Sequence, residues 1–178
     1  MDKNALYVNL GCGFNKIESD SVVNWVNVDG FPICEPDVLW NLNITPLPFE
    51  DHSVDHILAS HVFEHLENWW ECFTDCARIL KRGGTVEIRV PHISSDAATV
   101  YRDHVAIIDE CSFDGIEKGM SRTQNAWFET QDRVPFIMVS QQLVAFPRYQ
   151  KLPDFILKFC ATHLRNFIHE IRFTFRRL

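Results

Sequence analysis

Residues Ala5–Gly13, ALYVNLGCG, form an apolar run that breaks into a glycine turn, and a second apolar run, Trp25–Val28, stops at Asp29. Two such runs, one followed by glycines and one by a carboxylate, are typical of the first two strands of a nucleoside-binding α/β sheet. Glycine lets the backbone approach a ligand that a Cβ atom would obstruct, and a carboxylate can accept hydrogen bonds from both hydroxyls of a ribose. The pattern predicts that Gly11, Gly13 and Asp29 line one site.

Length and charge limit the class of protein. A chain of 178 residues suits one domain, long enough to bury roughly 70% of its unfolded surface in a single core. The net charge is -7, and residues 1–90 carry fourteen acids against six bases. Binding along a nucleic-acid backbone needs a basic face, so no nucleic-acid partner is expected. The basic cluster Arg172, Arg176 and Arg177 is interpreted as the solvated face of a last strand.

The six cysteines form no CxxC pair, and the first residues show no basic segment followed by a long apolar one. Both features favour a reduced protein in the cytoplasm. No apolar run approaches the roughly 20 residues that a membrane span requires, so no integral membrane segment is expected. Cys72 and Cys76 could share a metal on a helix, but buried packing is the favoured interpretation.

Seven apolar or alternating runs predict strands. They are Leu6–Leu10, Trp25–Val28, Val38–Leu42, Val54–Ser60, Thr85–Val90, Phe136–Phe146 and Ile168–Arg177. Helices are predicted at Asn68–Lys81, closed by Gly83-Gly84, and at Pro153–Asn166. The segment between Gly13 and Trp25 is too short and too poor in helix formers for a full helix. Residues 93–134 are polar and mixed, and are interpreted as a lid or insert over the site of a single domain, 1–178.

Two other phosphate-binding patterns fit poorly. A dinucleotide GxGxxG would need a small residue where Lys16 stands, and a phosphate loop would need a Gly-Lys-Ser/Thr that is absent.

The chain from residue 6 to 92 instead resembles the class I methyltransferases that use S-adenosylmethionine, in particular the small methyltransferase type 11 group. Four segments carry the resemblance, in the family's order: YVNLGCG, WVNVDG, LWNLNITPLPFEDHSVDHILASHVFEHL and ARILKRGGTVEIRVPH. It implies a Rossmann-like three-layer α/β sandwich. Its mostly parallel sheet would have seven strands in the order 3-2-1-4-5-7-6, with the last strand antiparallel.

The resemblance also implies a cofactor site for S-adenosyl-L-methionine. Its residues would be Leu10, Gly11, Cys12, Gly13, Asp29, Gly30, Asn41, Leu42, Ser60 and His61. Within it Asp29 would hold the ribose, Asn41 and Leu42 would flank adenine, and Ser60 with His61 would face the methionine part. The chain departs from the family at three positions, where Asn9 and Asn41 replace acids and Asn15 replaces a glycine. These departures predict weaker cofactor affinity, because an amide keeps its hydrogen bonds but carries no charge.

Methyl transfer needs alignment and exclusion of water, and a base only where the acceptor must lose a proton. The catalytic candidates are His61, His92 and His104, because imidazole titrates in the useful range. The Asn/Asp-Pro-Pro-Tyr/Phe motif of enzymes that methylate amides is absent after the fourth strand. Transfer to oxygen or carbon of a small molecule, sugar or lipid precursor is therefore expected, and a homodimer is compatible with the sequence.

Three alternatives stay open. The run His61–His65, HVFEH, matches the HxxEH pattern of inverted zinc proteases, but it straddles a strand end, so no metal is expected. The chain could bind S-adenosylmethionine without methylating anything, as a subunit or sensor. The third alternative is a docking module, in which an apolar stripe on the predicted last helix forms an exposed face for a partner or a membrane. The favoured interpretation is that this stripe covers the sheet. The stripe consists of Phe155, Phe159, Cys160, Leu164 and Phe167.

Overall fold

Seven strands form one sheet in the computed structural model, which describes residues 5–114, 116 and 134–178. Most of them are rich in β-branched and aromatic residues, which suit a pleated, half-buried surface. The strands are β1 (Ala5–Leu10), β2 (Val23–Asp29), β3 (Val38–Leu39), β4 (Val54–Ser60), β5 (Leu80–Pro91), β6 (Phe136–Ala145) and β7 (Ile168–Arg177).

The order of the strands is β3-β2-β1-β4-β5-β7-β6. Strands β1 to β5 are parallel, and β7 runs antiparallel to both β5 and β6. The predicted fold class and strand order are confirmed. Because the order reverses between β1 and β4, a crevice opens at the carboxyl ends of these two strands.

Alternation along the strands separates a core face from a second face. In β5 the side chains of Val86 and Ile88 are fully buried, whereas Glu87 and Arg89 between them are partly exposed. Helix α1 (Trp69–Ile79) joins β4 to β5 and belongs to the same buried cluster as Val86 and Ile88. The core therefore lies between α1 and one face of the sheet.

Phe73 of α1 is the centre of an aromatic cluster in this core. Its ring centroid lies 5.0 Å from that of Phe113, 4.9 Å from that of Phe136 and 5.0 Å from that of Phe175. These partners belong to the segment after β5, to β6 and to β7. One helix residue thus ties together parts of the chain that are far apart in sequence.

Helix α3 (Asp154–His163) packs on the other face, against β6 and β7. Leu157 and Ala161 of the helix form a small buried hydrophobic cluster with Ile168 of β7. Ile168 is an odd number of residues from the core residue Ile171, so the two point to opposite faces of β7. Helices therefore cover both faces of the sheet.

The predicted stripe on α3 coincides only in part with the face that the helix buries, because Cys160 belongs to both but the phenylalanines do not. Leu157, Cys160 and Ala161 are buried, whereas Phe155 and Phe159 are 73% and 58% exposed. Residues three and four apart share a helix face, and the buried face is centred on Leu157 rather than on the phenylalanines.

Two glycines predicted to end the first helix serve a different purpose. Helix α1 ends at Ile79 and the chain enters β5 at once, so Gly83 and Gly84 lie inside the strand. The pairing of β5 with β4 shifts register just before this point, and a Cβ atom on Gly84 would come within 2.9 Å of the Lys81 carbonyl oxygen. The two glycines therefore allow an irregularity within β5. The sequence pattern, a glycine pair after a helix, does not distinguish this role from that of ending the helix.

No helix follows β1, as the short connection predicts. A buried amide network holds this loop instead. Asn9 donates to the Asn15 carbonyl and to the Asn27 side chain, each at 3.1 Å, and the same Asn27 oxygen accepts the Ile17 amide at 2.8 Å. The Asn27 amide group in turn donates to Asp37 at 2.8 Å. Asn9 is therefore committed to the loop.

After β5 the chain forms one helical turn, α2 (Ala97–Val100), and continues to residue 114 without regular structure. The rest of the predicted lid, residues 115 and 117–133, lies outside the described residues. Among the helices of the described residues, none is long and apolar enough to cross a membrane.

Candidate functional site

The tips of β1 and β2 are joined by the carboxylate of Asp29. One of its oxygens accepts the Gly13 amide at 2.8 Å, and the other accepts the Phe31 amide at 2.8 Å. Asp29 is 6% exposed, and the Cys12 amide donates to the Val28 carbonyl at 3.0 Å beside it. The glycine turn and the acid are therefore one unit, and the carboxylate keeps lone pairs for further donors.

Gly11 and Gly13 both adopt the left-handed backbone region, with φ of 62° and 51°. Their surroundings differ. A Cβ atom on Gly11 would lie 2.2 Å from a methyl group of Val62, whereas one on Gly13 would meet no atom of the described residues within 4 Å. The bare surface of Gly11 is thus used by the protein itself, and Gly13 is the glycine that leaves room for a ligand.

The two residues that flank Gly11 turn their side chains into the protein. Leu10 and Cys12 are buried, at 0% and 3% exposed. Burial, reinforced by the nearby Asp29 charge, raises the pKa of the Cys12 thiol to about 11. A neutral, inward-pointing thiol has no direct part in methyl transfer, so only the backbone of these residues could meet a cofactor.

The predicted adenine side lies next to the tip of β2. A Cβ atom on Gly30 would lie 3.6 Å from the Trp40 carbonyl oxygen and 3.7 Å from the Asn41 Cα atom. Asn41 is exposed and its side-chain oxygen accepts the Asn43 amide at 3.0 Å, whereas Leu42 is buried. These positions border the same crevice as Asp29.

At the tip of β4, after the half-buried Ser60, stands His61. Its φ of 55° is unusual for a residue other than glycine, and its amide donates to the Arg89 carbonyl at 2.8 Å. One ring nitrogen lies 2.8 Å from the Glu170 carboxylate, and the other lies 3.3 Å from Glu64. Such a strained backbone persists where its surroundings fix it, and this one aims the ring between two acids.

The two acids hold His61 in its charged form. Hydrogen bonding to Glu170, then the nearby Glu64, raises the pKa of His61 to about 9. Burial alone would raise the pKa of Glu170, but the hydrogen bonds from His61 and Arg172 outweigh it and lower that pKa to about 2. At neutral pH the pair is an imidazolium next to a carboxylate.

His92 has both ring nitrogens engaged inside the protein. It is fully buried, the Ser94 amide donates to its Nδ1 at 3.1 Å, and its Nε2 lies 2.8 Å from the Glu110 carboxylate. Because Nδ1 accepts this hydrogen bond, Nε2 carries the ring proton and donates to Glu110. This histidine fastens the segment that follows β5.

A cavity of about 520 Å³ opens beside His61 and is lined by residues from β4 to β7. His104 lines it too, and its buried Nδ1 has no hydrogen-bond partner within residues 5–114, 116 and 134–178. Other residues around the cavity are Glu64, His65, Ser95, Tyr101 and His169. The volume is within the range of small-molecule sites in proteins.

Sequence patterns did not single out Glu170, because it lies 109 positions from His61 and only the sheet brings the two together. Its place in an alternating strand, on the face opposite Ile171, was the one signal present. Tyr101 and His169 are likewise recognisable as cavity residues only after the strands are assembled.

The fold is that of the S-adenosylmethionine-dependent methyltransferases. A solved structure of such a methyltransferase from Archaeoglobus fulgidus aligns with 98% of this chain and 86% of its own, at 13% identity and a TM-score of 0.69. A chain in the complex of the Haloferax volcanii Trm112 methyltransferase activator aligns over 98% of this chain and 83% of its own, at 14% identity and a TM-score of 0.65. The [4+2]-cyclase SpnF also aligns, over 99% and 76%, at 10% identity and a TM-score of 0.58.

A family model described as "Methyltransferase domain" matches residues 33–88, from the connection between β2 and β3 through most of β5. No curated protein matches the sequence. The predicted resemblance to the class I methyltransferases is confirmed, and S-adenosylmethionine is the cofactor that fold and family model imply. Together they support S-adenosylmethionine-dependent methyl transfer.

The residues present fit that cofactor. The open space at Gly13 allows close approach to the backbone, and the buried Asp29 carboxylate beside it suits a pair of ribose hydroxyls. Asn9 stands where the family has an acid. Its side-chain amide donates within the loop after β1, so this replacement takes no group away from the cofactor site.

Proposed function

We propose that this protein transfers the methyl group of S-adenosylmethionine to an oxygen or carbon atom of a small molecule, such as a sugar or lipid precursor, held in the cavity beside His61. The observation that carries this proposal is the position of His61. It directly follows β4, the strand next to β1 and its glycine turn, and it also lines the cavity. A cofactor over the β1 and β4 tips and an acceptor in the cavity would therefore meet at this residue.

The cofactor would be held by Gly13 and Asp29, with Gly30, Asn41 and Leu42 around the adenine and Ser60 next to the methionine part. Gly11 supports the turn through its contact with Val62. Leu10 and Cys12 contribute backbone atoms only, because their side chains are buried.

The three histidines would have different roles. His61 is charged at neutral pH, so it orients the acceptor and does not take a proton from it. His92 supports the wall of the cavity, since both its nitrogens are occupied. Of the three, His104 is placed to act on an acceptor, because it lines the cavity and no described residue is a hydrogen-bond partner of its Nδ1.

The charge distribution supports a small acceptor over a nucleic acid. In the sequence's one basic cluster, Arg172 pairs with Glu170, and Arg177 donates to the Leu80 carbonyl. Two of its three cations are thus used within the protein. We also propose that residues 93–114 cover the cavity in a single domain, and that the protein works in the cytoplasm, where its six cysteines would stay reduced.

The test is calorimetric titration of the protein with S-adenosylhomocysteine. Asp29→Ala should weaken binding by about 10–100-fold, because it removes charge-assisted hydrogen bonds to the ribose. Asp154→Ala, which removes an exposed acid at the start of α3, is the matched control and should bind as the wild type does. Equal affinity of wild type and Asp29→Ala would remove the ribose assignment and with it the proposal.

A second candidate is a protein that binds S-adenosylmethionine without transferring the methyl group. Val62 fills the space beside Gly11 that a cofactor could otherwise approach, and the same fold is found in a protein whose name is that of a cyclase. Incorporation of labelled methyl groups into small molecules of a cell extract separates the two. Binding without incorporation into any acceptor pool would favour the second.

A further inference from the structure

Three side chains that commonly bind metals meet at the edge of the cavity. Glu64 and His65 belong to the short 3-10 helix Phe63–His65 after β4, and His104 comes from the segment after α2. One ligand atom from each lies within 4.8 Å of the other two. The backbone fixes this meeting, because the Glu64 carbonyl accepts the amides of Val105 and Ala106 at 2.8 Å and 3.0 Å.

The Glu64 carboxylate is short of hydrogen bonds. Its side chain is 4% exposed, and neither oxygen has a hydrogen-bond partner among the residues that the structure describes. His61 lies 3.3 Å from one oxygen and supplies an opposite charge without the geometry of a hydrogen bond. Burying a carboxylate with unsatisfied oxygens is costly, and a bound cation would remove that cost.

Each histidine presents a nitrogen suited to a metal. Nδ1 of His65 lies 3.0 Å from the Asp103 carbonyl oxygen. A carbonyl only accepts, so Nδ1 carries the proton and Nε2 keeps a free lone pair. Such a contact on the far nitrogen is the usual support of a metal-binding histidine. His104 has a buried Nδ1 that meets no hydrogen-bond partner in the described part of the chain.

We propose that Glu64, His65 and His104 bind a divalent transition-metal ion, with Zn²⁺ as its representative. Two imidazoles and one carboxylate suit zinc better than magnesium, which prefers an all-oxygen shell. Three protein ligands leave a position open, as in catalytic zinc sites, and all three residues line the 520 Å³ cavity.

The site is not the HxxEH pattern noted in the sequence. His61 of that pattern turns its ring to Glu170, and His104 supplies the second imidazole from 39 residues beyond His65. The proposal also departs from the sequence-based expectation of no metal. One consequence rests on the proposed function. The open position of the metal ion takes an oxygen atom of the methyl acceptor, and His104 then acts on the acceptor through the ion.

The experiment is titration of the chelator-treated full chain with Zn²⁺ by calorimetry, with Co²⁺ absorption spectra as a second measure. We expect one ion per chain and a rise in melting temperature when Zn²⁺ is added. Glu64→Gln, His65→Ala and His104→Ala should each weaken Zn²⁺ binding by more than about 100-fold, since losing even a residue that only orients a ligand costs about 10–100-fold. His163→Ala, at an exposed histidine of α3, should change nothing.

Glu64→Gln separates loss of metal binding from loss of folding, because it keeps the shape of the side chain and removes only the buried charge. Without metal it should melt at the temperature of the wild type or higher, and Zn²⁺ should no longer raise that temperature. Titrating the same samples with S-adenosylhomocysteine separates this proposal from the proposed function. If S-adenosylhomocysteine binds but Zn²⁺ does not bind stoichiometrically, or binds the three variants as tightly as the wild type, the metal site is wrong and the cofactor site stands.

Discussion

Gly11 and Gly13 share a left-handed backbone but face different surroundings, so alanine should act differently at each. At Gly11 the new methyl group would collide with Val62. We expect Gly11→Ala to lower the free energy of unfolding by about 2–4 kcal/mol, combining overpacking with backbone strain. Urea denaturation measures this loss. In the double variant Gly11→Ala/Val62→Ala the loss should be smaller than the sum of the single losses, and an additive result would contradict the contact.

At Gly13 the methyl group would meet open space, so stability should fall only by the backbone strain, about 1 kcal/mol. The methyl group would then stand where the cofactor approaches. We expect S-adenosylhomocysteine to bind Gly13→Ala about tenfold or more weakly, which calorimetry measures. Wild-type affinity in this variant would show that the cofactor does not come close to the turn.

Between β1 and β2 hydrogen-bonded side chains replace the helix that a Rossmann-like sheet usually has there. Asn27 is the centre of the network, with contacts to Asn9, Ile17 and Asp37. We expect Asn27→Ala to lower the free energy of unfolding by about 2–3 kcal/mol, because buried partners lose their hydrogen bonds. Asn24→Ala, at an exposed position of the same strand, should cost less than about 0.5 kcal/mol. Similar losses in the two variants, measured by urea denaturation, would argue against the network.

The ion pair between His61 and Glu170 links the tip of β4 to β7 and predicts how stability depends on pH. The pKa of Glu170 is about 2 when folded against about 4.5 ordinarily, so its contribution is complete above pH 4.5 and is lost as the pH falls towards 2. The pKa of His61 is about 9 against 6.5, so its contribution is complete below pH 6.5 and is lost as the pH rises through 9.

We therefore expect the metal-free protein to gain most from this pair between pH 4.5 and 6.5. Urea denaturation from about pH 2 to about pH 9, with chelator present, measures the plateau and the losses on either side of it. His61→Ala should flatten both limbs of the curve relative to the wild type. Identical pH dependence in the two proteins would show that the pair does not stabilise the fold.

At the scale of the molecule, Phe73 connects α1 to β6, β7 and the segment after β5. We expect Phe73→Ala to lower the free energy of unfolding by about 3–5 kcal/mol, because it leaves a cavity among packed rings. Phe155→Ala, at a side chain 73% exposed on α3, should change it by less than about 0.5 kcal/mol. Thermal and urea denaturation of both variants test this, and a comparable loss in both would contradict the assignment of the core.

Much of the fold could be predicted because local periodicity sets the strands. The bounds of β4 and β7 agree with the alternation of their residues, and the glycine turn and Asp29 meet as their spacing predicts. The resemblance supplied the strand order. What periodicity could not supply is which residues meet across the sheet: Val62 against Gly11, and Glu170 against His61, depend on packing between distant segments.

The two outermost strands of the sheet differ in length. At one side β3 has two residues, and at the other β6 has ten, with exposed Ser140, Gln141 and Gln142 at its centre. The free edge of an outermost strand carries unpaired backbone groups and is a template for aggregation. A short strand or polar side chains reduce that risk. The shortness of β3 and the hydrophilic side chains of β6 therefore both lower the risk that copies of this protein stack edge to edge in an amyloid-like way.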